Sequence, residues 1–255
     1  MTMTIKNQDE IRRMDEAGQV VALVHARIER AIAPGVTTAE LDTIARDTLD
    51  EAGAVSSFLG YHGFPAHICA SINDEIVHGI PGNRRLREGD IASIDVGAIL
   101  AGYHGDSAWT YGVGEISEEA AALLRDTEEA LNLAIEAAMS GNRLGAIGHA
   151  VESHAQRLGR GVVRNYGGHG IGRQMHEDPH VPNIGSPERG VVLRSGLTLA
   201  IEPMLTLGSE ESTTLADGWT VVTADGSLAA HFEHTVAVGP EGGRVLTRRL
   251  APVLE

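Results

Sequence analysis

A weak internal repeat is the feature that most constrains how this 255-residue chain can fold. Each half reads helix, turn, helix and then strands, and no linker or charge run separates the halves. A duplicated unit of this kind favours one domain with pseudo-two-fold symmetry and a ligand cleft at the seam. We therefore predict a single domain over residues 1–255, with repeats at roughly 8–115 and 116–240. At a constant offset, Gly35 matches Gly141, Leu41 matches Ile147, Ala45 matches Val151 and Gly53 matches Gly159, and one residue further on His62-Gly63 matches His169-Gly170.

Apolar residues at three- and four-residue spacing predict four helices, and most of the remaining chain reads as strands. Pro34-Gly35 ends the first helix, Ser117 opens the third, and Gly159 ends the fourth. The sequence therefore predicts an α/β class of the α+β type. The predicted helices cover about residues 8–32, 38–53, 117–140 and 144–158. The predicted buried face of the third helix consists of Ala121, Leu124, Thr127, Ala130 and Ala134.

The composition limits the class of function. The net charge of −15 opposes nucleic acid as a specific partner, because phosphate binding needs a basic surface. A single cysteine, Cys69, excludes an intrachain disulfide and a thiolate metal cluster. No apolar run is long enough to cross a membrane, and the N-terminal residues lack the apolar core of a signal peptide. The predicted location is therefore the cytoplasm, with no membrane partner.

Acidic residues inside apolar, strand-like segments predict a metal site. Asp95 and Asp106 lie on two strands joined near Leu100-Ala101-Gly102, and a turn centred between Leu100 and Ala101 would place them opposite one another. A carboxylate in an apolar strand is costly without a positive partner. Four carboxylates and one imidazole suit small divalent ions, and two such ions a few ångströms apart can activate water for hydrolysis. The predicted ligands are Asp95, Asp106, His169, Glu202 and Glu233.

Other interpretations of these residues stay open at this point. The aspartates could lie on a solvated strand face, and the glutamates could belong to buried ion pairs. The glycines around His169 superficially resemble a phosphate loop, although no P-loop lysine accompanies them. His78 and His176 lie in loops rich in glycine or proline, where the backbone could satisfy them. His25, His149 and His154 lie on predicted helices, and we expect them at the surface or its boundary.

Five motifs occur in order along nearly the whole chain. They are YHGFPAHICASINDEIVHGIP (61–81), IDVGAILAGYHGD (94–106), GGHGIGRQMHEDP (167–179), LTLAIEPM (197–204) and DGWTVVTADGSLAAHFEHT (217–235). Together they resemble the type I methionine aminopeptidases. The resemblance implies the pita-bread fold, in which a pseudo-two-fold duplicated unit has a central, curved, antiparallel sheet backed by helices. It also implies a single catalytic domain that removes the initiator methionine from nascent polypeptides when the second residue is small.

The resemblance further implies the roles of individual residues. The five ligands named above would hold two divalent ions, with cobalt, manganese, iron and zinc all suitable. His78 would contact the substrate near the scissile amide, His176 would hydrogen-bond its carbonyl, and Glu202 would move the proton to the leaving amine. Plain core packing is the alternative for Phe64 and Trp219. The implied substrate-binding residues are Tyr61, Phe64, Cys69, His78, His176 and Trp219.

Several departures and alternatives accompany the resemblance. Met175 stands where an aromatic residue is more usual, and His231 stands where glutamine is more usual. The N-terminus begins at the first helix without the extension that some relatives use at the ribosome, so ribosome association stays an open expectation, and a monomer is expected. Proline-specific peptidases share the fold and similar ligands but carry an extra N-terminal domain. A non-catalytic binder that has lost its ligands is the second alternative.

Overall fold

The structure is a computed structural model that describes residues 3–249. Met1, Thr2 and residues 250–255 of the predicted domain lie outside the described residues. The repeat boundaries and the single-domain organisation stay predictions. None of the helices in the described range is both long and apolar enough to cross a bilayer.

The four helices lie close to their predicted positions. They are α1 (Gln8–Ala31), α2 (Thr38–Glu51), α3 (Glu118–Ala137) and α4 (Gly145–Leu158). Polar side chains begin the first three, because Asn7, Thr37 and Ser117 accept backbone N–H groups of the first turn. Gly159 ends α4 with φ of 66°, a left-handed conformation that glycine adopts without strain.

Two local predictions about the helices were wrong. The buried face of α3 includes Ala120 and Leu123 rather than Ala121 and Leu124, so the face is rotated by one residue at the start of the helix. Buried positions of α3 are set by the sheet against which it packs, and two adjacent apolar residues do not reveal which one turns inward. His25 and His154 are buried rather than at the surface, whereas His149 is exposed.

The strands are short except for one long hairpin. They are β1 (Val55–Ser56), β2 (Ile68–Ile72), β3 (Glu75–Val77), β4 (Ile91–Leu100), β5 (Tyr103–Gly112), β6 (Gly161–Val162), β7 (Gly167–Gly170), β8 (Glu177–Pro182), β9 (Thr198–Ile201), β10 (Met204–Thr206), β11 (Ser212–Thr214), β12 (Val221–Thr223), β13 (Ala229–His231), β14 (His234–Gly239) and β15 (Gly242–Val245). A 3-10 turn covers Tyr61–Gly63.

The strands form two larger sheets, each backed by a pair of helices. The first has the order β1-β4-β2 with β5 on β4, and the second has the order β15-β14-β9-β7-β8. One apolar core lies between the first sheet and α1 and α2, and a second lies between the second sheet and α3 and α4. All strand pairs within the two larger sheets are antiparallel. Smaller sheets, β13-β10-β6 and β11-β12-β3, complete the α+β arrangement.

The hairpin of β4 and β5 turns one position later than predicted. Ala101 and Gly102 form a two-residue turn with φ of 49° and 77°, because two left-handed residues match the right-handed twist of the flanking strands. Asp95 therefore faces Ala108 and Asp106 faces Gly97, so the prediction that the two aspartates lie directly opposite was wrong. The register has moved by two residues, which leaves both aspartates on the same face of the sheet.

Candidate active site

The two larger sheets meet at Asp106. Its backbone N–H donates to the Thr235 hydroxyl at 2.9 Å, and that hydroxyl donates to the Asp106 carbonyl oxygen at 2.8 Å. Thr235 lies on β14, so this pair of hydrogen bonds joins the first sheet to the second. Asp95 lies diagonally across the hairpin from Asp106, at a separation that two carboxylates can bridge through a shared ion.

Both glutamates lie where a strand is interrupted; a strand end was expected at Pro203, whereas Glu233 was predicted within a strand. Glu202 and Pro203 separate β9 from β10, and Pro203 cannot donate a hydrogen bond to a ladder. Glu233 lies between β13 and β14, and its backbone N–H leaves its own sheet to donate to the Ala108 carbonyl oxygen at 2.8 Å. The breaks face each other, because Phe232 donates to the carbonyl oxygen of Pro203 at 3.3 Å. They turn both carboxylates toward the aspartates.

Small residues make room for His169 on β7. A Cβ atom at Gly168 would lie 2.1 Å from the Ala200 carbonyl oxygen, so only glycine allows this close approach of strands. His169 Nδ1 lies 2.9 Å from the Gly170 carbonyl oxygen, which fixes the proton on that nitrogen and leaves Nε2 with its lone pair. Nε2 lies 3.7 Å from Asp106 Oδ2 and 3.8 Å from Glu202 Oε1. This is the orientation of a metal-ligating imidazole.

The acidic cluster fits a cation. Ligand atoms of Asp106, His169 and Glu233 all lie within 4.8 Å of one another. One oxygen each of Asp95, Asp106 and Glu233 is buried without a hydrogen-bond partner among residues 3–249. Buried polar atoms are rarely left in this state, and divalent ions would satisfy them.

The electrostatics of the cluster lead to the same conclusion. Burial, followed by the charge of Glu202, raises the pKa of Asp106 to about 8. Burial and the nearby Asp106 carboxylate raise the pKa of Asp95 and that of Glu233 well above their usual values. Burial opposes ionisation of Glu202 too, but contact with His231, whose Nε2 lies 3.6 Å from Oε2, and with other histidines lowers its pKa. Three carboxyl groups resist ionisation together, so positive charge is what the site lacks.

A cavity of 210 Å³ opens from this cluster. Its apolar wall is formed by residues that pack around Cys69, with Phe64 edge-on to Trp219 at 5.1 Å between ring centroids. Burial, together with the charge of Asp95, raises the pKa of the Cys69 thiol well above its usual value, so the sulfur is an uncharged part of the wall. Every site residue predicted from the sequence lines this cavity, which is bounded by Phe58, Tyr61, His62, Phe64, Cys69, His78, Asp95, Asp106, His169, Met175, His176, Glu202, Trp219 and Glu233.

The two loop histidines, His78 and His176, both line the cavity. His78 has φ of 61° and lies edge-on to Trp219, and burial lowers its pKa. His176 is exposed on one side, while its ring lies 4.1 Å from that of His169 and its Nδ1 lies 2.8 Å from the Tyr61 hydroxyl. Burial of the ring and then the proximity of His169 lower the pKa of His176 to about 4, so it is neutral near pH 7.

Sequence reasoning missed three residues near the site. His62 lines the cavity, and its match with His169 in the internal repeat was the signal that could have revealed it. Tyr166 and His180 line a second, 170 Å³ cavity that shares His78, His176 and Glu202 with the first. No pattern in the sequence distinguishes these two from ordinary strand and loop residues.

Comparison with known proteins places these observations in a family. The model of metallopeptidase family M24 matches residues 12–240. Methionine aminopeptidase 1 of Bacillus subtilis (strain 168) is 51% identical over 243 residues, which cover 95% of this chain and 98% of that protein. The crystal structure of methionine aminopeptidase from Thermotoga maritima has a TM-score of 0.95 at 43% identity, covering 97% of this chain and all 100% of that one.

A more distant structure shares the fold alone. Prolidase from Pyrococcus furiosus has a TM-score of 0.79 at 22% identity, and the match covers 97% of this chain and 66% of that one. The predicted resemblance and the predicted pita-bread fold are thereby confirmed.

Proposed function

This chain belongs to metallopeptidase family M24, and we propose that it removes methionine from the N-termini of nascent polypeptides when the second residue is small. The observation that carries this proposal is that one cavity has two chemically different sides. One side is the carboxylate and imidazole cluster, and the other is a closed apolar surface of aromatic rings and a neutral thiol. The flexible thioether side chain of methionine suits such a surface. With that side chain bound there, the scissile amide of the peptide would lie at the cluster.

We propose two divalent ions, held by Asp95, Asp106, His169, Glu202 and Glu233. When bound there, such ions supply Lewis acidity that activates water and polarises a carbonyl near neutral pH. Cobalt, manganese, iron and zinc all accept this donor set of carboxylates and one imidazole. Family membership supports the use of divalent metal, and the unpartnered buried oxygens support a multiply charged occupant.

Three residues at the cluster would each have a separate role in catalysis. Glu202 is the carboxylate whose pKa is lowered, so it is ionised and can accept a proton and pass it to the leaving amine. With Tyr61 donating to Nδ1, the neutral ring of His176 carries its proton on Nε2 and can donate to the scissile carbonyl oxygen. His78 lines the same cavity, and we propose that it contacts the substrate near the scissile amide. The protein would act as a monomer in the cytoplasm, where contact with the ribosome would supply the nascent chains that are its substrate.

A metal-reconstitution assay tests the activity. Protein stripped with a chelator is restored with each defined ion, and methionine release is measured on Met-Xaa-Ser peptides with Xaa as Gly, Ala, Ser, Thr, Val, Leu and Lys. Rates should depend on metal and fall steeply beyond Val. Asp106→Asn should abolish the metal-dependent rate, whereas Asp126→Asn, which removes an ion pair with Arg160 outside the site, should not.

The same assay separates the alternatives. A proline-specific peptidase would cleave a Xaa-Pro dipeptide and spare Met-Ala-Ser, and a pure binding protein would cleave neither with any metal. Equal cleavage of the Lys and Ala peptides would instead indicate a broad aminopeptidase and contradict the proposed specificity. The fold cannot make this distinction, because prolidase shares it.

A further inference from the structure

The loop that carries His176 is closed by one carboxylate, that of Glu177. Glu177 Oε1 accepts hydrogen bonds from the backbone N–H groups of Arg173 at 2.9 Å and Gln174 at 3.2 Å. Both donors belong to the same short loop, so the carboxylate ties its beginning to its end. The Glu177 side chain is only 11% exposed.

The second oxygen of Glu177 is bound by residues from the start of the chain. Lys6 Nζ lies 2.7 Å from Oε2, and the Thr4 hydroxyl donates to the same oxygen. The Lys6 side chain is only 5% exposed, so this ion pair is buried. The backbone N–H of Lys6 donates to the Gly196 carbonyl oxygen at 2.8 Å, just before β9, which anchors the lysine itself.

Close contacts join the loop to this ion pair, although a 370 Å³ cavity lies beside Lys6 and Glu177. A Cβ atom at Gly172 would lie 2.5 Å from Lys6 Cε and 2.6 Å from Glu177 Oε1. On the outer side of the loop, the Arg173 guanidinium lies over the Tyr103 ring at 4.5 Å from its centroid. His176 precedes Glu177 directly, so a shift of the Glu177 backbone is passed to the imidazole that faces His169.

We propose that Lys6 is a positioning residue for the reaction, acting through Glu177 to hold His176 at the carbonyl of the bound substrate. This inference rests on the proposed function. The competing explanation is that the ion pair only stabilises the fold. The two explanations differ in whether the effect of replacing Lys6 depends on His176. If Lys6 positions His176, the effect on kcat requires His176 to be present, whereas a stabilising role does not.

A double-mutant cycle separates the two explanations. Lys6→Met and Lys6→Arg are made in the wild-type protein and in His176→Ala, and kcat, KM and bound metal are measured with Met-Ala-Ser. Lys6→Met should lower kcat by about 10- to 100-fold, since a misplacement of about 1 Å can cost about 100-fold. KM and metal content should stay within about twofold, and Lys6→Arg should recover most of the rate because a guanidinium can also bind Glu177.

The decisive result is the behaviour in His176→Ala, where Lys6→Met should change kcat by less than about twofold because its target is gone. An equal loss of kcat in both backgrounds, or no loss in the wild-type background, overturns the positioning role. If Lys6→Met does not fold, Glu177→Gln is put through the same cycle with the same expectations. Arg160→Met, which breaks another partly buried ion pair at a 2.7 Å contact with Asp126, should lower stability without lowering kcat.

Failure of this inference and failure of the proposed function give different results. A wild-type protein that cleaves Met-Ala-Ser while Lys6→Met retains full kcat refutes the positioning role alone. A wild-type protein that cleaves no methionyl peptide with any restored ion refutes both.

Discussion

Replacing Asp106 with asparagine should stabilise the metal-free protein at neutral pH and remove its response to metal. Asp106 is 3% exposed, and burial together with the charge of Glu202 raises its pKa from an ordinary 3.8 to about 8. A carboxyl group with a raised native pKa contributes stability that is complete below the unfolded pKa and is lost as pH rises through the native pKa. The loss therefore falls between about pH 3.8 and pH 8.

The size of the effect follows from the pKa difference. Each pKa unit corresponds to about 1.4 kcal/mol. At pH 7.5 Asp106 is ionised in the unfolded chain but mostly still protonated in the chelated native protein, so the loss of stability relative to low pH is on the order of 5 kcal/mol. Asparagine removes that cost but weakens hydrogen bonds that the carboxyl group makes with Asp95 and Glu233 and with the backbone of Ser107, each about 1 kcal/mol. The net stabilisation of Asp106→Asn should be on the order of 2 kcal/mol at pH 7.5 and should become a net destabilisation of about 2 kcal/mol near pH 4, where the weakened hydrogen bonds dominate.

Equilibrium urea unfolding in a chelator measures this difference. The free energies of unfolding of wild type and Asp106→Asn are compared across this pH range. The difference between the two free energies cancels the titration of groups that both proteins share. Adding a divalent ion at about 100 times its dissociation constant should then stabilise the wild type by about 2.7 kcal/mol and the variant far less. Asp126→Asn serves as the control and should respond to metal as the wild type does.

Two outcomes would refute the reasoning. If chelated wild type and Asp106→Asn differ equally at all pH values, the buried carboxyl group carries no ionisation cost. If metal stabilises both proteins to the same extent, Asp106 is not a ligand.

Three further predictions concern other parts of the molecule. Burial lowers the pKa of His25 to about 4, so the neutral ring contributes stability to the native protein above about pH 6.5. On acidification from there toward pH 4 this stability is lost at about 1.4 kcal/mol per pH unit. In urea unfolding, His25→Gln should therefore lose stability less steeply with falling pH than the wild type does. Gly168→Ala should lower the free energy of unfolding by about 1–3 kcal/mol, because the new methyl group meets the Ala200 carbonyl oxygen, and a urea midpoint unchanged from wild type would contradict that close approach. Cys69 is buried and the pKa of its thiol is raised, so iodoacetamide should not modify it in the native protein at pH 7 but should alkylate it in urea, as measured by mass spectrometry. Rapid labelling of the native protein would show instead that the cavity wall is open to the reagent.

The local parts of the structure could be read from the sequence. Apolar periodicity, Ser117 at the start of a helix and Gly159 at the end of one are short-range signals, and the four helices lie close to where such signals place them. The five motifs were enough to identify the family and the pita-bread fold, and the residues they nominated all line one cavity. Their individual roles in binding and catalysis stay predictions.

The tertiary structure decided everything that depends on pairing between distant segments. The left-handed pair Ala101-Gly102 moved the hairpin register by two residues, and the alternation along a strand is unchanged by such a shift, so the sequence pattern could not detect it. His25 is buried because Tyr111 and Ser107 of the hairpin provide its partners, a condition that helical periodicity does not contain. The contact of Lys6 with Glu177 joins residues 171 positions apart, and a contact of that range exists only once the start of the chain lies against the second sheet.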